Sequence, residues 1–142
     1  MSLADETLPP SKVLIVDDNP QNLELLEAYL EELPNVTTLS AHDGQSCLDL
    51  VARERPDLIL LDIMMPRMSG YEVCKKVKAE EATRDIPVIM VTALHEMGDV
   101  ERGAEVGAND FVTKPVNRVD LLGRVKTLLR VRHAAKASEA PD

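Results

Sequence analysis

The sequence has no cluster of positive charge before its last predicted helix. Its 142 residues include 16 Lys and Arg against 25 Asp and Glu, which gives a formal net charge of -9. Proteins that bind nucleic acids neutralise the phosphates with clustered basic side chains. This domain is therefore predicted not to bind nucleic acid directly.

Long hydrophobic runs and paired cysteines are also missing. No apolar stretch approaches the roughly 20 residues of a membrane-spanning helix, so no membrane contact is expected. The first residues lack the basic segment and apolar core of a secretory signal. Cys47 and Cys74 have neither CxxC nor metal-ligand spacing. Two free thiols in an acidic domain are typical of a reducing cytoplasm.

The chain does contain enough apolar residues for one core. Hydrophobic residues make up 44% of the sequence, which favours a globular domain over a disordered chain. Residues 1–10 are polar and end in two prolines, and we expect them to form a flexible leader. Residues 11–132 are predicted to form the domain, and the small and polar residues 133–142 a flexible tail.

Five short apolar runs alternate with five helical patterns. The predicted strands cover residues 12–17, 36–41, 57–61, 87–91 and 111–113. The predicted helices cover about 20–33, 44–55, 71–79, 99–106 and 117–132. Strands that are joined by right-handed helical crossovers run parallel. The sequence therefore predicts an α/β fold, a doubly wound five-stranded parallel sheet with helices on both faces. Its most apolar strand, the third, should be central, and the second should lie at an edge.

Two helices have apolar faces whose composition can be tested. The residues predicted to be buried in the fourth helix are Val100, Ala104 and Val106, with Gly107 ending the helix in a left-handed conformation. The apolar face of the fifth helix comprises Val119, Leu122, Val125 and Leu129.

Polar side chains follow four of the five apolar runs. These residues are Asp17 and Asp18, Asp62, Thr92, and Lys114 before Pro115. The carboxyl ends of parallel strands meet at one edge of a sheet, where ligands bind, so these groups should converge. Two carboxylates about 4 Å apart repel by roughly 4 kcal/mol at an effective dielectric constant near 20. A cluster of three therefore requires a cation or a proton, and oxygen ligands with retained waters suit Mg²⁺.

Asp62 is the candidate nucleophile of this site, since a carboxylate can accept a phosphoryl group to give an acyl phosphate. Lys114 and Thr92 would each contact a phosphoryl oxygen, and a cis Lys114–Pro115 bond would aim the lysine inward. Taken singly, such residues are more often helix caps or solvated charges. Their occurrence at four strand ends in this order favours a site.

At these residues the chain resembles the receiver domains of two-component response regulators, from about residue 12 to residue 130. The matching segments are Val-Asp-Asp-Asn-Pro at 16–20, Leu-Asp-Ile-Met-Met-Pro-Arg-Met-Ser-Gly at 61–70, Val-Thr-Ala at 91–93, Gly-Ala-Asn-Asp-Phe at 107–111 and Thr-Lys-Pro at 113–115. The segment after Asp62 and the basic last helix look most similar to receivers found upstream of cyclic-di-GMP synthesis domains. The resemblance implies a flavodoxin-like fold with strand order 2-1-3-4-5.

The resemblance also implies roles for the site residues. Asp62 would accept a phosphoryl group from a histidine kinase or a phosphotransfer protein. Asp18 and Asp62 would bind Mg²⁺ directly and Asp17 through water, with the backbone carbonyl of Met64 as a further ligand. Thr92 and Phe111 would form the switch pair that rearranges on phosphorylation.

In this interpretation the protein is a phosphorylation-controlled switch rather than an enzyme, because it would catalyse only its own phosphorylation and dephosphorylation. The first helix and the loop after Asp62 would be the kinase-docking face. The fourth helix, fifth strand and fifth helix would form either a homodimer interface or a solvated surface. Met64 and Leu94 follow Asp62 and Thr92 by two residues and are apolar, which predicts a long-lived phosphoryl group.

Three other classes of protein match parts of the pattern. A flavin-binding protein would need phosphate donors after the first strand, where Asp17-Asp18-Asn19 would repel a phosphate. A Mg²⁺-dependent phosphatase usually has a second acid two residues after its nucleophile, where this chain has Met64. A receiver-like scaffold that acts without phosphorylation would normally have lost one of the key residues, and none is missing here. The output of the protein and its cognate kinase are left open.

Overall fold

The computed structural model describes residues 8–93 and 97–139, in which five strands alternate with five helices. The strands are β1 (Ser11–Val16), β2 (Val36–Ala41), β3 (Leu58–Asp62), β4 (Val88–Thr92) and β5 (Asp110–Thr113). The helices are α1 (Pro20–Leu30), α2 (Gly44–Glu54), α3 (Gly70–Ala79), α4 (Met97–Glu105) and α5 (Arg118–Glu139). The sheet order is β2-β1-β3-β4-β5 with all pairs parallel. The predicted doubly wound fold, its strand order, its central third strand and its second strand at the edge are confirmed.

The sheet separates two apolar cores. Leu14 and Ile59 face the core under α2 and α3, whereas their neighbours Val13 and Leu60 face the core under α1 and α5. Successive strand residues point to opposite faces, so a strand covered on both sides must be apolar at every position. This is why the apolar runs of β1 and β3 are continuous.

The connections after β1 and β3, residues 17–19 and 63–69, both lead into capped helices. Asn19 caps α1, its side-chain oxygen accepting from the backbone N–H of Gln21 at 2.8 Å, and Pro20 occupies the first turn. Ser69 and Glu72 form a reciprocal capping box at the start of α3. Both caps lie on the connections that leave the carboxyl edge of the sheet, where β1 and β3 end.

The amino-terminal boundary lies earlier than predicted. Leu8 is only 3% exposed, and its carbonyl oxygen accepts from the Asn35 side chain at 3.0 Å. Leu8, within the expected leader of residues 1–10, is therefore packed on the domain, whereas Pro9 and Pro10 are exposed. Residues 1–7 and 140–142 lie outside the described residues.

The last helix is longer than predicted, because α5 continues to Glu139 rather than ending near residue 132. His133 Nε2 lies 2.8 Å from Ser11 Oγ, and Lys136 Nζ lies 3.2 Å from Asp57 Oδ1. These contacts fix the last turns to the amino edge of the sheet, and alanine, frequent there, is the strongest helix former. Residues 133–139, which the sequence analysis assigns to the tail, belong to α5.

Two predicted helix faces also need correction. In α4, Val100 is 46% exposed and Ala104 is exposed, whereas Gly103 is buried. Because Gly103 has no side chain, the α4 backbone approaches the sheet there and its flanking apolar residues stay in solvent. In α5, Val119 is 68% exposed because it lies about 200° around the helix from the fully buried Leu121.

Among the described helices, none combines the length and apolarity needed to cross a bilayer.

Candidate functional site

The residues predicted to form a site do lie together at the carboxyl edge of the sheet. Asp62 and Thr92 are the last residues of β3 and β4, and Asp17 directly follows β1. Asp17, Asp62 and Thr92 are 1%, 4% and 0% exposed, whereas Asp18 is open to solvent. Nearly complete burial of two carboxylates is unusual unless the charges are paired or coordinated.

Three carboxylates form the acidic part of the site. One oxygen each of Asp17, Asp18 and Asp62 lies within 4.8 Å of the others. Oxygen ligands of an octahedral Mg²⁺, at about 2.1 Å from the metal, are about 3 to 4 Å apart. The donor set therefore fits a hard divalent cation in both chemistry and spacing.

Both carboxylate oxygens of Asp17 are already engaged. Its Oδ1 accepts from the backbone N–H of Asn19 at 2.9 Å, and its Oδ2 accepts from Lys114 Nζ at 3.0 Å. These bonds fix the carboxylate and use part of its capacity to accept a metal. Asp18, which is open to solvent, is thus more available as a direct ligand than Asp17.

Lys114 is the cation at the centre of the site. Its Nζ lies 3.0 Å from Asp17 and 3.5 Å from Asp62, and the Lys114–Pro115 peptide bond is cis, as expected. Its backbone N–H donates to the carbonyl oxygen of Thr92 at 2.7 Å, which ties the lysine to the end of β4. Burial disfavours the ammonium, but the two carboxylates outweigh it and raise the pKa of Lys114. The lysine is therefore a stable positive charge beside Asp62.

The surroundings of Asp62 destabilise the ionised form of its carboxyl group. Burial and the charge of Asp17 raise its pKa to about 6, although Lys114 and the backbone N–H of Met64 act in the opposite direction. A pKa near 6 leaves most of the group ionised at neutral pH. Asp62 is therefore available as an oxygen nucleophile, and a bound cation would stabilise its anion further.

The backbone around Asp62 is fixed by the start of α3. Gly70 N donates to Ile63 O at 2.9 Å, and a Cβ at Gly70 would lie 2.3 Å from the Asp62 carbonyl oxygen. Only glycine allows the helix to approach the strand end so closely. Met64 lies on the intervening loop with its side chain 62% exposed.

The predicted switch pair occupies two neighbouring strands. Phe111 of β5 pairs in register with Met90 of β4, and Thr92 lies two residues beyond Met90. Residues two apart in a strand share a face, so Thr92 and Phe111 lie on the same side of the sheet. The Phe111 ring is half-buried, 3.4 Å from where a Cβ at Gly103 would stand. Leu94, the other residue predicted to tune phosphoryl lifetime, lies outside the described residues.

Two residues next to the site were not found from the sequence. The Arg102 guanidinium of α4 stacks 4.4 Å above the ring of Tyr71 in the first turn of α3. Both line a cavity of about 670 Å³ that also touches Asp18 and Met64. They are 31 positions apart, so no local periodicity connects them, and only the strand order brings α3 and α4 together.

A second, smaller groove lies beside α1 and includes Lys114 in its lining. This groove, of about 210 Å³, is lined by Leu25 and Tyr29 of α1 and by Pro115 and Val116, with Lys114 at one end. Leu25 is 43% exposed although it is apolar.

The fold and the site together define a flavodoxin-like α/β domain with an acidic Asp–Lys centre at the carboxyl edge of its sheet. Residues 13–126 match the response regulator receiver domain, and the chain belongs to that family. The receiver domain acts in two-component signalling, and phosphorylation and Mg²⁺ are standard features of the family.

Known proteins with similar chains include both regulators and isolated domains. The response regulator PleD of Caulobacter vibrioides is 48% identical over 123 residues, which cover 86% of this chain and 27% of PleD. The transcriptional regulator RpaA of Synechocystis is 39% identical over 132 residues, covering 90% of this chain and 54% of RpaA. The chain thus spans a quarter to about half of these relatives. The receiver domain of a Syntrophus aciditrophicus signal transduction histidine kinase superposes with a TM-score of 0.78 at 41% identity, covering 84% of this chain and 90% of that domain.

Proposed function

We propose that this protein is a phosphorylation-controlled signalling switch whose phosphoacceptor is Asp62. The observation that carries the proposal is the buried Asp62 carboxylate with Lys114 Nζ at 3.5 Å and two further carboxylates within reach of one cation. The donor would be a sensor histidine kinase or a phosphotransfer protein, as is usual for this family. The folded unit would span residues 8–139 rather than 11–132.

Phosphoryl transfer to Asp62 requires one nucleophile and several groups that stabilise negative charge. An oxygen of Asp62 attacks phosphorus, a new P–O bond forms, the bond from phosphorus to the leaving group breaks, and that group departs with the electron pair. Lys114 stabilises the negative charge on one phosphoryl oxygen, and the Thr92 hydroxyl donates to another. The protein turns over no external substrate, so it acts as a switch rather than as an enzyme.

The same carboxylates account for a requirement for Mg²⁺. Asp18 and Asp62 would hold the ion, with Asp17 acting through water and the Met64 backbone carbonyl completing the protein ligands. When bound, Mg²⁺ neutralises negative charge on the carboxylates and on the phosphoryl oxygens. Without such a cation, three carboxylates and a phosphoryl group would repel one another.

The output surface would be α4, β5 and α5. Movement of Thr92 toward a phosphoryl group would leave space for Phe111 to turn inward, and Gly103 of α4 lies against that ring. A homodimer through this surface would exchange ion pairs across a two-fold axis. Within the chain Arg124 already pairs with Asp110 and Asp120, so dimerisation would compete with existing contacts.

The kinase would dock on the side of α1. The apolar groove beside Leu25 leads to Lys114, and α1 bears glutamates without any basic residue in its first or last turn. No direct contact with nucleic acid is proposed, since the net charge is -9.

The test is phosphorylation by acetyl phosphate in the presence of Mg²⁺, followed by intact mass. We expect one phosphoryl group on the wild type, none on Asp62→Asn, and one on the control Asp49→Asn, which alters an exposed acid on α2. Addition of EDTA should abolish the gain. If the protein binds Mg²⁺ but remains unmodified by acetyl phosphate and phosphoramidate, the alternative of a phosphorylation-independent scaffold replaces this proposal.

A further inference from the structure

The larger opening to the site lies between α4 and the loop that joins β3 to α3. It encloses about 670 Å³ and is lined by Asp18, Met64, Glu72, Tyr71 and Arg102, among others. Pockets of 300 to 1,000 Å³ accommodate small ligands. The opening therefore has room for a small molecule beside Asp18, which has a carboxylate oxygen within 4.8 Å of one of Asp62.

Arg102 is the one basic residue among those that line this opening. Among the side chains that the structure describes, those of residues 8–93 and 100–137, its only specific contact is the stack on Tyr71, with no hydrogen bond or ion pair to its N–H groups. Lys114, by contrast, is already shared between Asp17 and Asp62. A guanidinium presents a planar fork of donors that matches carboxylate and phosphate oxygens.

The ring of Tyr71 fixes where this fork is held. Tyr71 is 5% exposed, so it is a rigid platform, and the stack holds the exposed Arg102 side chain at the rim of the cavity. Such cation–π contacts are attractive even at exposed sites. The arginine is thereby oriented before any ligand arrives, while its N–H edges are left available.

An anion that enters this opening faces unfavourable electrostatics. The lining acids Asp18 and Glu72 are joined, deeper in, by Asp17 and Asp62. A small phosphoryl donor such as an acyl phosphate carries two negative charges near neutral pH, and these acids repel it. A free cation at the rim is what would draw such a donor in.

We propose that Arg102 is a specificity-determining residue for small anionic phosphoryl donors, which it binds as they enter between α4 and the β3–α3 loop. The inference rests on Asp62 being the phosphoacceptor. With acetyl phosphate, the Asp62 oxygen bonds to phosphorus, the bond from phosphorus to the bridging oxygen breaks, and acetate leaves with the electron pair. Arg102 does not take part in bond changes; it holds the anionic donor against the repulsion of the acids.

Donor dependence of the phosphorylation rate is the first test, with the full chain and saturating Mg²⁺. Arg102→Gln should raise the half-saturating concentration of acetyl phosphate by about three- to fivefold, as expected for one exposed ion pair of up to about 1 kcal/mol. The rate with phosphoramidate, which carries less negative charge, should change by less than about twofold. Arg130→Gln removes the same charge from an exposed site on α5 and should match the wild type with both donors.

Equal effects of Arg102→Gln on both donors, or equal effects of Arg102→Gln and Arg130→Gln, would overturn the proposal, because loss of general charge would then explain them. If neither donor phosphorylates the wild type, that result contradicts the proposed function itself.

Binding of inorganic phosphate provides a test that needs no phosphorylation. The NMR resonance of the Arg102 Nε–H, assigned by its loss in Arg102→Gln, should shift on titration with phosphate at constant ionic strength. The Arg130 resonance should stay unchanged. Parallel shifts of both arginines, or no shift of Arg102, would refute anion binding at this rim whatever the fate of Asp62.

Discussion

At the scale of single residues, the site combines features that cost stability in the absence of ligands. Asp62 is held near Asp17 in a buried position, and Lys114 offsets this only in part. Crowding of like charges is common at functional sites because a ligand or cation later relieves it. The effect of removing the Asp62 charge should therefore be the reverse of what removing a buried ion-pair partner usually does.

Asp62→Asn should raise the free energy of unfolding in metal-free buffer at pH 7. The pKa of Asp62 is raised to about 6 by burial and by Asp17, from 3.8. The folded state thus binds the Asp62 proton more tightly than the unfolded state does. The resulting stabilisation of the folded state is complete below pH 3.8 and is lost as the pH rises through 6. After allowance for solvent screening, we expect the free energy of unfolding of Asp62→Asn to be higher than that of the wild type by about 1–2 kcal/mol.

Urea unfolding with EDTA at pH 7 measures this difference. The free energy of unfolding of Asp62→Asn should exceed that of the wild type at pH 7. This difference should become smaller as the pH is lowered toward 4. Asp49→Asn, which changes an exposed carboxylate, should match the wild type at both values. A less stable Asp62→Asn at pH 7 would show that the Lys114 contact outweighs burial and repulsion.

Met64 should affect how long the phosphoryl group survives. Its side chain is 62% exposed on the loop after Asp62 and has no group that could orient an attacking water. Met64→Asn supplies such a group, and a hydrogen bond of about 1 kcal/mol corresponds to about fivefold faster hydrolysis. Loss of phosphoprotein after removal of the donor measures the rate, with Met64→Leu as the apolar control. Equal lifetimes in Met64→Asn and Met64→Leu would contradict this role.

At the scale of helices and strands, sequence patterns predicted the order and type of every described element but not all of their faces. The continuous apolar runs and the caps Asn19 and Asp43 depend on neighbouring residues, so they are visible in sequence. The inward face of α4 was missed because it is defined by Gly103, a residue that carries no hydrophobic signal. The end of α5 was missed because Lys136 finds its partner Asp57 across 79 positions.

Two glycines in helices should respond oppositely to substitution by alanine. A Cβ at Gly70 would lie 2.3 Å from the Asp62 carbonyl oxygen, so the start of α3 must move and we expect a loss of about 3 kcal/mol or more. Gly123 in α5 has nothing within 4 Å of that position, so alanine should stabilise by about 0.5–1 kcal/mol. Urea unfolding of both variants measures the changes. A neutral Gly70→Ala would show that the loop after Asp62 yields easily.

At the scale of the whole molecule, the sheet topology is what turns scattered residues into a site. Asp17, Asp62 and Lys114 were predictable because each follows an apolar run, and parallel strands place all such residues at one edge. Tyr71 and Arg102 were not predictable, because their contact depends on the tilt and depth of two helices. What was missed therefore lies around the site rather than in it.

The two buried cysteines report on different parts of the molecule. Burial raises the pKa of Cys47 to about 12 and that of Cys74 to about 11, so neither thiol should react with a disulfide reagent at pH 8 without local opening. Cys47 lies in α2, remote from the proposed output surface. Cys74 in α3 donates from Sγ to the carbonyl oxygen of Val106 at 3.5 Å, just beyond the end of α4.

If phosphorylation rearranges α4, β5 and α5 while the rest of the domain stays fixed, it should change the reactivity of only one thiol. We expect acetyl phosphate and Mg²⁺ to speed labelling of Cys74 in a Cys47→Ala variant and to leave Cys47 unchanged in Cys74→Ala. Adding Asp62→Asn should abolish the effect, since the donor alone does not open the core. Equal acceleration of both thiols would mean that both sides of the sheet loosen together, and the switch would not be confined to α4, β5 and α5.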